Sequence, residues 1–270
     1  MPPRAVVLYP PFGNALFSID HAAPDGSCLL RGLDSRLLIS ASTQALAIAK
    51  PAQVQDAARR FHQTLDTHIN ALLARRPLPP KGCGVRYGKV LHIDADEDYL
   101  RICAMAYARL SIPCACAAAP ESRQAEAVPA LLRTHQPDVL VLTGHDAYES
   151  GEHNGNYQAS AHFTDAVHTA RQFAPLLDDL AIVAGACQSD FERLMDAGAN
   201  AASAPRRIRI HALDPLLIAA EIACTSIDTI LSPPAIIAAS ISGPRGFGAV
   251  QTRGAARLFA PCTANIGGDV

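Results

Sequence analysis

The sequence lacks the features that identify several classes of protein. Its 23 lysines and arginines nearly balance 25 aspartates and glutamates, so the net charge of −2 predicts no basic surface for nucleic acid. Residues 1–10 contain no apolar stretch long enough for a signal peptide or a membrane span. The cysteines form no paired Cys-x-x-Cys with histidines at zinc-site spacing. We therefore expect a cytoplasmic protein with no nucleic-acid partner, no membrane partner, no metal and no other cofactor.

The composition that is present indicates a folded protein with a sizeable core. Apolar residues make up 49% of the 270 positions and charged residues only 18%. Short apolar segments between proline and glycine turns predict a small β-rich module over residues 1–49. Residues 50–86 combine a predicted helix at 53–76 with a proline-rich linker. Residues 87–270 form the main predicted domain.

Strands and helices alternate through this main domain. The predicted strands are 90–94, 113–118, 139–143, 181–185 and 208–213, with a short last strand near 249–252. The predicted helices are 98–110, 122–135, 159–174, 190–197 and 215–225, and a later helix has Ser232 as its N-cap. Because helices separate the strands, we predict a mostly parallel sheet. The predicted fold is a three-layer α/β sandwich.

Two strand-length apolar runs of the main domain end in small residues that precede a reactive side chain. The first ends in Gly144 before His145, and the second in Gly185-Ala186 before Cys187. Catalytic groups of open α/β sheets lie beyond the carboxyl ends of the strands, so neighbouring strands would place both side chains in one crevice. A thiol near a helix N-terminus has a lowered pKa and free backbone N–H groups beside it. We predict a cysteine hydrolase with His145 as general acid and base.

Other interpretations of the same residues stay open. Cysteine is often simply buried, and we expect the other seven cysteines to be structural, reduced thiols. A glutaminase-type amidohydrolase has its histidine downstream of the nucleophile, where His211 lies, although Ser189 replaces the second glycine of the glutaminase elbow. A degenerate receiver or flavodoxin-like binding module would need a phosphoacceptor aspartate where Thr143 stands. Stoichiometric alkylation of Cys187 with loss of peptidase activity would separate the enzyme from the binding module.

The order of histidine before cysteine resembles the caspase, gingipain and legumain group, in which one strand ends in His-Gly and the next in Ala-Cys. Ala186-Cys187 matches this pattern, whereas Asp146 replaces the glycine. Strings over residues 87–255 also resemble the YabG family of sporulation-specific endopeptidases. These strings are Lys-Val-Leu-His-Ile-Asp-Ala-Asp (89–96), Thr-Gly-His-Asp-Ala-Tyr (143–148), Gly-Ala-Cys-Gln-Ser (185–189), Ala-Gly-Ala-Asn (197–200), Ile-His-Ala-Leu-Asp-Pro (210–215) and Thr-Arg-Gly (252–254).

The resemblance implies a caspase–hemoglobinase type of sandwich and a cysteine endopeptidase that processes spore coat and related proteins after arginine. The catalytic dyad carried over from the family falls on His145 and Cys187. The residues expected beside the dyad and its oxyanion are Gly144, Asp146, Gly185 and Ala186.

A preference for arginine requires a carboxylate, because a guanidinium is held best by a bidentate acid. Asp94 and Asp96 follow the first strand of the main domain, at the edge where the dyad is expected. Asp146, beside His145, is the competing candidate. The other interpretation of Asp96 is an acid at a helix start, where it interacts favourably with the helix dipole. Asp94 is the preferred pocket residue because it leaves the strand directly.

Overall fold

The computed structural model describes residues 5–76, 78–149, 156–157 and 159–261. Its N-terminal part is an antiparallel sheet of five strands in the order β4-β3-β2-β1-β5. These strands are β1 (Val6–Leu8), β2 (Leu16–Ala22), β3 (Ser27–Gly32), β4 (Leu38–Ser42) and β5 (Ala47–Ile48). One face buries a small core that includes Phe17, Ile19 and Leu30. The predicted antiparallel β-module is therefore confirmed.

A long helix, α1 (Pro51–Arg75), follows the N-terminal sheet. It begins with a proline, whose missing N–H is not needed in the first turn. The Gln53 side chain also accepts a hydrogen bond of 2.8 Å from the backbone N–H of Lys50. Leu65, Ile69 and Leu72 lie on one helical face and are buried against the main domain. The predicted helix at 53–76 is confirmed with its start two residues earlier.

The main domain is built on a six-stranded sheet with the order β15-β13-β12-β9-β7-β8, in which only β15 is antiparallel to its neighbour. The strands after α1 are β6 (Gly84–Arg86), β7 (Val90–Asp94), β8 (Cys114–Ala118), β9 (Val139–Leu142), β10 (Tyr148–Glu149), β11 (Asn156–Tyr157), β12 (Ala181–Ala184), β13 (Ala201–Ser203), β14 (Ile230–Leu231), β15 (Phe247–Ala249), β16 (Thr252–Arg253) and β17 (Arg257–Phe259). Within the described residues, three short antiparallel pairs also lie outside this sheet, β6 with β17, β10 with β11 and β14 with β16.

Helices cover both faces of the six-stranded sheet. The helices after α1 are α2 (Glu97–Arg109), α3 (Glu121–His135), α4 (Ser160–Phe173), α5 (Phe191–Asp196), α6 (Asp214–Cys224), α7 (Pro233–Ile237) and α8 (Gly243–Gly246). Val90 of β7 packs in a core with α1, α2 and α6, whereas Leu91 and Ile93 pack with α3, α4 and α5. This alternation produces the predicted three-layer sandwich with a mostly parallel sheet.

The structure corrects the predicted strand at 208–213. That segment is a loop, and the strand beside β12 is β13, Ala201–Ser203. Alanine and serine have low strand propensity, so β13 gives little signal in the sequence. The place next to β12 is therefore already filled, and the apolar loop instead contacts the segment around Cys187. The predicted last strand near 249–252 is likewise two short strands, β15 and β16.

Among the described residues, none of the helices combines the length and the apolar character needed to cross a lipid bilayer. Within the same residues, no group of three or more histidine, cysteine, aspartate or glutamate side chains is placed to hold a metal ion.

Candidate active site

The loops that carry His145 and Cys187 leave neighbouring parallel strands at the same edge of the sheet. Leu142 at the end of β9 pairs with Ala184 at the end of β12, and each reactive residue lies three positions further on. The turn before Cys187 depends on Gly185, whose φ is +101° and where a Cβ would lie 2.3 Å from the Ser203 hydroxyl. The topology thus places the two loops side by side, as the sequence predicts.

The carboxylate of Asp146 ties these two loops to each other. Its Oδ1 accepts hydrogen bonds from the backbone N–H groups of Ala147 and Ala159, at 2.8 and 2.7 Å. Its Oδ2 accepts from the hydroxyl of Ser189 at 2.9 Å and from that of Ser160 at the start of α4. Burial raises the pKa of this carboxyl, and the hydroxyl and backbone donors oppose the rise. Asp146 is therefore a structural bridge through its side chain.

Cys187 is fully buried against the loop that follows β13. Its Sγ accepts a hydrogen bond from the Ile210 N–H at 3.2 Å and lies 3.5 Å from the Ile210 carbonyl oxygen. Burial raises the pKa of this thiol to about 12, although backbone contacts from Ile210 and Arg36 lower it in part. The expectation that a helix N-terminus lowers the pKa of the Cys187 thiol is therefore wrong for the intact chain. Asp190 is the N-cap of α5, and burial dominates at the sulfur.

His145 is also buried, with 2% of its surface exposed. Its backbone N–H donates to Glu121 Oε1 at 2.8 Å, and its Nδ1 has no hydrogen-bond partner among the described residues. Burial first, and then the positive charge of Arg36, hold the pKa of the imidazole well below its ordinary value. At neutral pH the ring is therefore neutral and able to accept a proton.

Two backbone N–H groups of the crevice converge on one carbonyl oxygen. The N–H of Asp146 donates to the carbonyl of Arg36 at 3.3 Å, and the N–H of Cys187 donates to the same oxygen at 3.2 Å. Two such donors from neighbouring loops have the geometry of an oxyanion hole. Of the predicted near-site residues, Asp146 thus contributes its amide. The Ala186 N–H is directed instead to the Ser189 hydroxyl.

The guanidinium of Arg36 occupies a buried pocket beside this carbonyl site. It forms an ion pair with the Asp94 carboxylate, donates through Nε to the Gly144 carbonyl at 2.8 Å, and lies 4.3 Å above the ring of Tyr99. The Thr143 hydroxyl also donates to Asp94, at 2.6 Å. A carboxylate, a carbonyl oxygen and an aromatic face together match the chemistry of a guanidinium.

Of the three candidate pocket acids, the structure brings Asp94 alone into contact with a guanidinium in this pocket. Asp96 caps α2, where its carboxylate accepts from the N–H groups of Asp98 and Tyr99 at 3.0 and 3.1 Å. Asp146 is occupied by the bridge between the loops. The helix-start interpretation therefore describes Asp96, and the direct exit of Asp94 from β7 places it at the pocket.

Comparison with known proteins assigns the chain to a family. A family model described as YabG peptidase U57 matches residues 14–261. The chain belongs to the YabG peptidase U57 family. It is 42% identical over 182 residues to the sporulation-specific protease YabG of Bacillus subtilis (strain 168), a match that covers 66% of this chain. The matched stretch spans 63% of that relative's length. No solved structure matches the chain.

The other candidate residues have different surroundings in this YabG-family chain. His211 accepts a hydrogen bond at Nδ1 from the Leu213 N–H at 3.1 Å, and its ring stacks on Phe61 with centroids 5.6 Å apart. Burial lowers the pKa of this imidazole. Thr143 stands where a receiver has its phosphoacceptor, and its hydroxyl donates a hydrogen bond to Asp94. These contacts hold both residues in structural positions.

Sequence reasoning missed the residues that complete the site of this YabG-family chain. Arg36 comes from the N-terminal module, 58 positions before Asp94 and 108 before Gly144. Tyr99 lies on α2, and its hydroxyl donates to the Ala212 carbonyl at 2.6 Å. A single arginine between two β-strands carries no local signal for such distant contacts. The one local hint of a buried charge is that Arg36 directly precedes two leucines, in Ser-Arg-Leu-Leu at 35–38.

Proposed function

We propose that this chain is a cysteine endopeptidase of the caspase type that cleaves proteins after arginine. It would act on spore coat and related proteins in the cytoplasm of a sporulating cell. The observation that carries the proposal is the placement of one arginine. The carbonyl oxygen of Arg36 accepts hydrogen bonds from two backbone N–H groups, one in the loop of His145 and one in the loop of Cys187. The guanidinium of Arg36 pairs with Asp94. A peptidase binds the residue before the scissile bond in this way.

In the proposed reaction, the Cys187 sulfur attacks the carbonyl carbon of the arginine that precedes the scissile bond. Because the pKa of the thiol is about 12 and that of His145 is below its ordinary value, both groups are neutral at rest. His145 therefore takes the thiol proton as the carbon–sulfur bond forms. The N–H groups of Asp146 and Cys187 stabilise the oxyanion of the tetrahedral intermediate.

His145 then gives this proton to the nitrogen of the leaving amine as the peptide bond breaks. The acyl group stays on Cys187 as a thioester. A water molecule, deprotonated by His145, hydrolyses the thioester and regenerates the thiol. Asp94 takes no part in proton transfer; it selects arginine by pairing with the guanidinium.

The experiment that tests the proposal compares single variants on a denatured protein that contains many arginines and lysines. Cys187→Ala and His145→Ala should both abolish cleavage, since each removes a group that the covalent route requires. His211→Ala is the matched control and should keep the activity. Mass spectrometry of the products should show new C-termini at arginine. Unchanged cleavage by Cys187→Ala would contradict the mechanism, and selective loss in His211→Ala would favour the glutaminase-type arrangement.

A further inference from the structure

A segment of the chain itself runs through the proposed active site in the manner of a substrate. This segment, residues 34–38, is defined here as the inserted segment. On its N-terminal side, Ser35 forms an antiparallel bridge with His211, and the Asp34 carbonyl accepts from the Ala212 N–H at 3.0 Å. Backbone hydrogen bonds to an extended chain of this kind are how proteins bind peptides by adding a strand.

The other half of the inserted segment pairs with the loop that carries His145. Leu37 forms a parallel bridge with Asp146, and the Leu38 N–H donates to the Asp146 carbonyl at 3.1 Å. Arg36 lies between the two halves, with only 2% of its surface exposed. The segment is therefore held on both sides of one peptide bond, Arg36–Leu37, whose carbonyl oxygen lies in the oxyanion hole.

We propose that the Arg36–Leu37 bond is a self-cleavage site of this chain. The inference rests on the proposed function, because it uses the same thiol, imidazole and arginine pocket. Three independent features of a bound substrate meet at this bond: the carbonyl at two N–H donors, the guanidinium at Asp94 and Gly144, and strand pairing on both sides. A structural loop needs none of these three to coincide at one residue.

The chemistry balances as a hydrolysis. Cys187 Sγ bonds to the carbonyl carbon of Arg36, the bond from this carbon to the Leu37 nitrogen breaks, and His145 transfers the thiol proton to that nitrogen. One water molecule then adds to the thioester, which leaves a carboxylate on Arg36, a free amino group on Leu37 and the thiol on Cys187. No cofactor or other reactant is required.

The proposal has a consequence for access to the site. In the uncut chain Arg36 fills the pocket that another arginine substrate would need. The cut separates β3 from β4, yet these two strands pair over Ser27–Arg31 with Leu38–Ser42, so the two fragments stay associated at first. Cleavage of other proteins should therefore follow self-cleavage with a lag, as the fragment 1–36 leaves the crevice.

The test follows newly made chain in a cell-free translation system and measures its intact mass under denaturing conditions. The wild-type chain should give two fragments, 1–36 and 37–270, the second beginning Leu-Leu-Ile-Ser. The rate should not change when the product is diluted, because the reaction is intramolecular. Cys187→Ala should stay whole, also when mature wild-type protein is added, since its Arg36 is buried in its own crevice. A cut in Cys187→Ala by either route would overturn the proposal.

Recognition of Arg36 is tested by Arg36→Lys, which keeps a cation for Asp94 and so protects the fold. A single ammonium cannot reach both Asp94 and the Gly144 carbonyl as the guanidinium does, so the loss of one charge-assisted hydrogen bond should slow self-cleavage about tenfold or more. Arg59→Gln, an exposed arginine on α1, is the matched control and should cleave normally. Self-cleavage of Arg36→Lys at the wild-type rate would overturn the assignment, as would a cut elsewhere in the wild-type chain.

The denatured arginine-rich protein distinguishes this inference from the proposed function. If wild-type protein cleaves that substrate while its own Arg36–Leu37 bond stays intact, the self-cleavage proposal is wrong and the proposed function stands. If neither the substrate nor the chain is cleaved, the proposed function itself fails. Self-cleavage followed by activity on the substrate supports both.

Discussion

At the scale of single residues, the pair of Arg36 and Asp94 dominates the site. Both side chains are almost completely removed from water, and a buried charge is tolerated only when it is paired and hydrogen-bonded. Asp94 meets this need with Arg36, with the Thr143 hydroxyl at 2.6 Å and with the backbone N–H of Asp96 at 2.8 Å. Its carboxylate is therefore held in one position, ready for a guanidinium.

Replacing Asp94 with asparagine should selectively weaken cleavage after arginine. A neutral amide cannot balance a desolvated guanidinium, and loss of one partner of such a pair costs about 2–5 kcal/mol, which corresponds to at least about 30-fold in kcat/KM. Steady-state kinetics on matched arginine and lysine peptides would measure this. Asp96→Asn, which alters the cap of α2 but removes no direct partner of the guanidinium, should keep the arginine preference. A pocket built around Asp94 is refuted if the two variants behave alike.

The reactivity of Cys187 should report the burial of its thiol. In His145→Ala, which keeps the chain uncut, iodoacetamide should label Cys187 more slowly than the partly exposed Cys83. The thiolate is the reacting form. Because the pKa of Cys187 is about 12, its labelling rate should still rise between pH 9 and 11, where an ordinary thiol has levelled off. Site-resolved mass spectrometry across this range is the measurement. A plateau for Cys187 below pH 9 would contradict the burial argument.

At the scale of elements, the site depends on how two strand-end loops are joined to each other. The Asp146 carboxylate connects the loop after β9, the loop after β12 and the first turn of α4 through four hydrogen bonds. The same residue supplies one of the two N–H groups that meet at the Arg36 carbonyl, the proposed oxyanion hole. A change in the carboxylate therefore affects this proposed donor as well as a structural contact.

Asp146→Asn should destabilise the fold by about 1.5–3 kcal/mol, because charge-assisted hydrogen bonds are replaced by neutral ones. Ser189→Ala removes a hydroxyl donor to the same carboxylate and also the acceptor of the buried Ala186 N–H, and should cost about 1–3 kcal/mol. Urea unfolding of both variants in a Cys187→Ala background measures these differences on the uncut chain. The bridge is not structural if Asp146→Asn unfolds at the wild-type urea concentration.

The sequence predicts elements well where a periodic apolar pattern exists and poorly where it does not. Helix α1 and strands β7, β9 and β12 follow from their apolar spacing alone. Strand β13 consists of alanine and serine, so its strand state comes from its place between β12 and β15 and not from local preference. The apolar loop 208–213 shows the converse, because Ile210 is buried beside Cys187 although the loop forms no regular strand.

At the scale of the whole molecule, the sequence predicts the proposed dyad but not the arginine whose backbone lies against its two loops. His145 and Cys187 are found from strand ends, which are local patterns in the chain. The insertion of residues 34–38 depends on how the N-terminal sheet packs against the main domain. Nothing in the spacing of residues encodes that arrangement, so a three-dimensional structure is needed to see residues 34–38 paired with the loops of His145 and His211.

The whole molecule should also lose stability as the pH falls below neutrality, because two histidines are buried in the neutral form. Burial lowers the pKa of His92 to about 3, and its ring nitrogens lie 3.1 Å from the Tyr107 hydroxyl and 3.2 Å from that of Thr143. In the unfolded chain the same imidazole has a pKa near 6.5. Between these values only the unfolded state binds the proton, so stability decreases as the pH drops from 6.5 toward 3.

His92→Gln should therefore make stability less sensitive to acid. Each such histidine lowers the free energy of unfolding by about 1.4 kcal/mol for every pH unit below about pH 6.5. His145 acts in the same direction. Asp146, whose pKa is raised by burial, acts in the opposite direction, but equally in both proteins. Urea unfolding in the Cys187→Ala background at several pH values between 6.5 and 4.5 gives the slope of the free energy of unfolding against pH. In His92→Gln this slope should be smaller by the contribution of one histidine. His62→Gln, at an exposed position on α1, should leave the slope unchanged, and an equal slope in His92→Gln would show that this buried imidazole does not remain neutral.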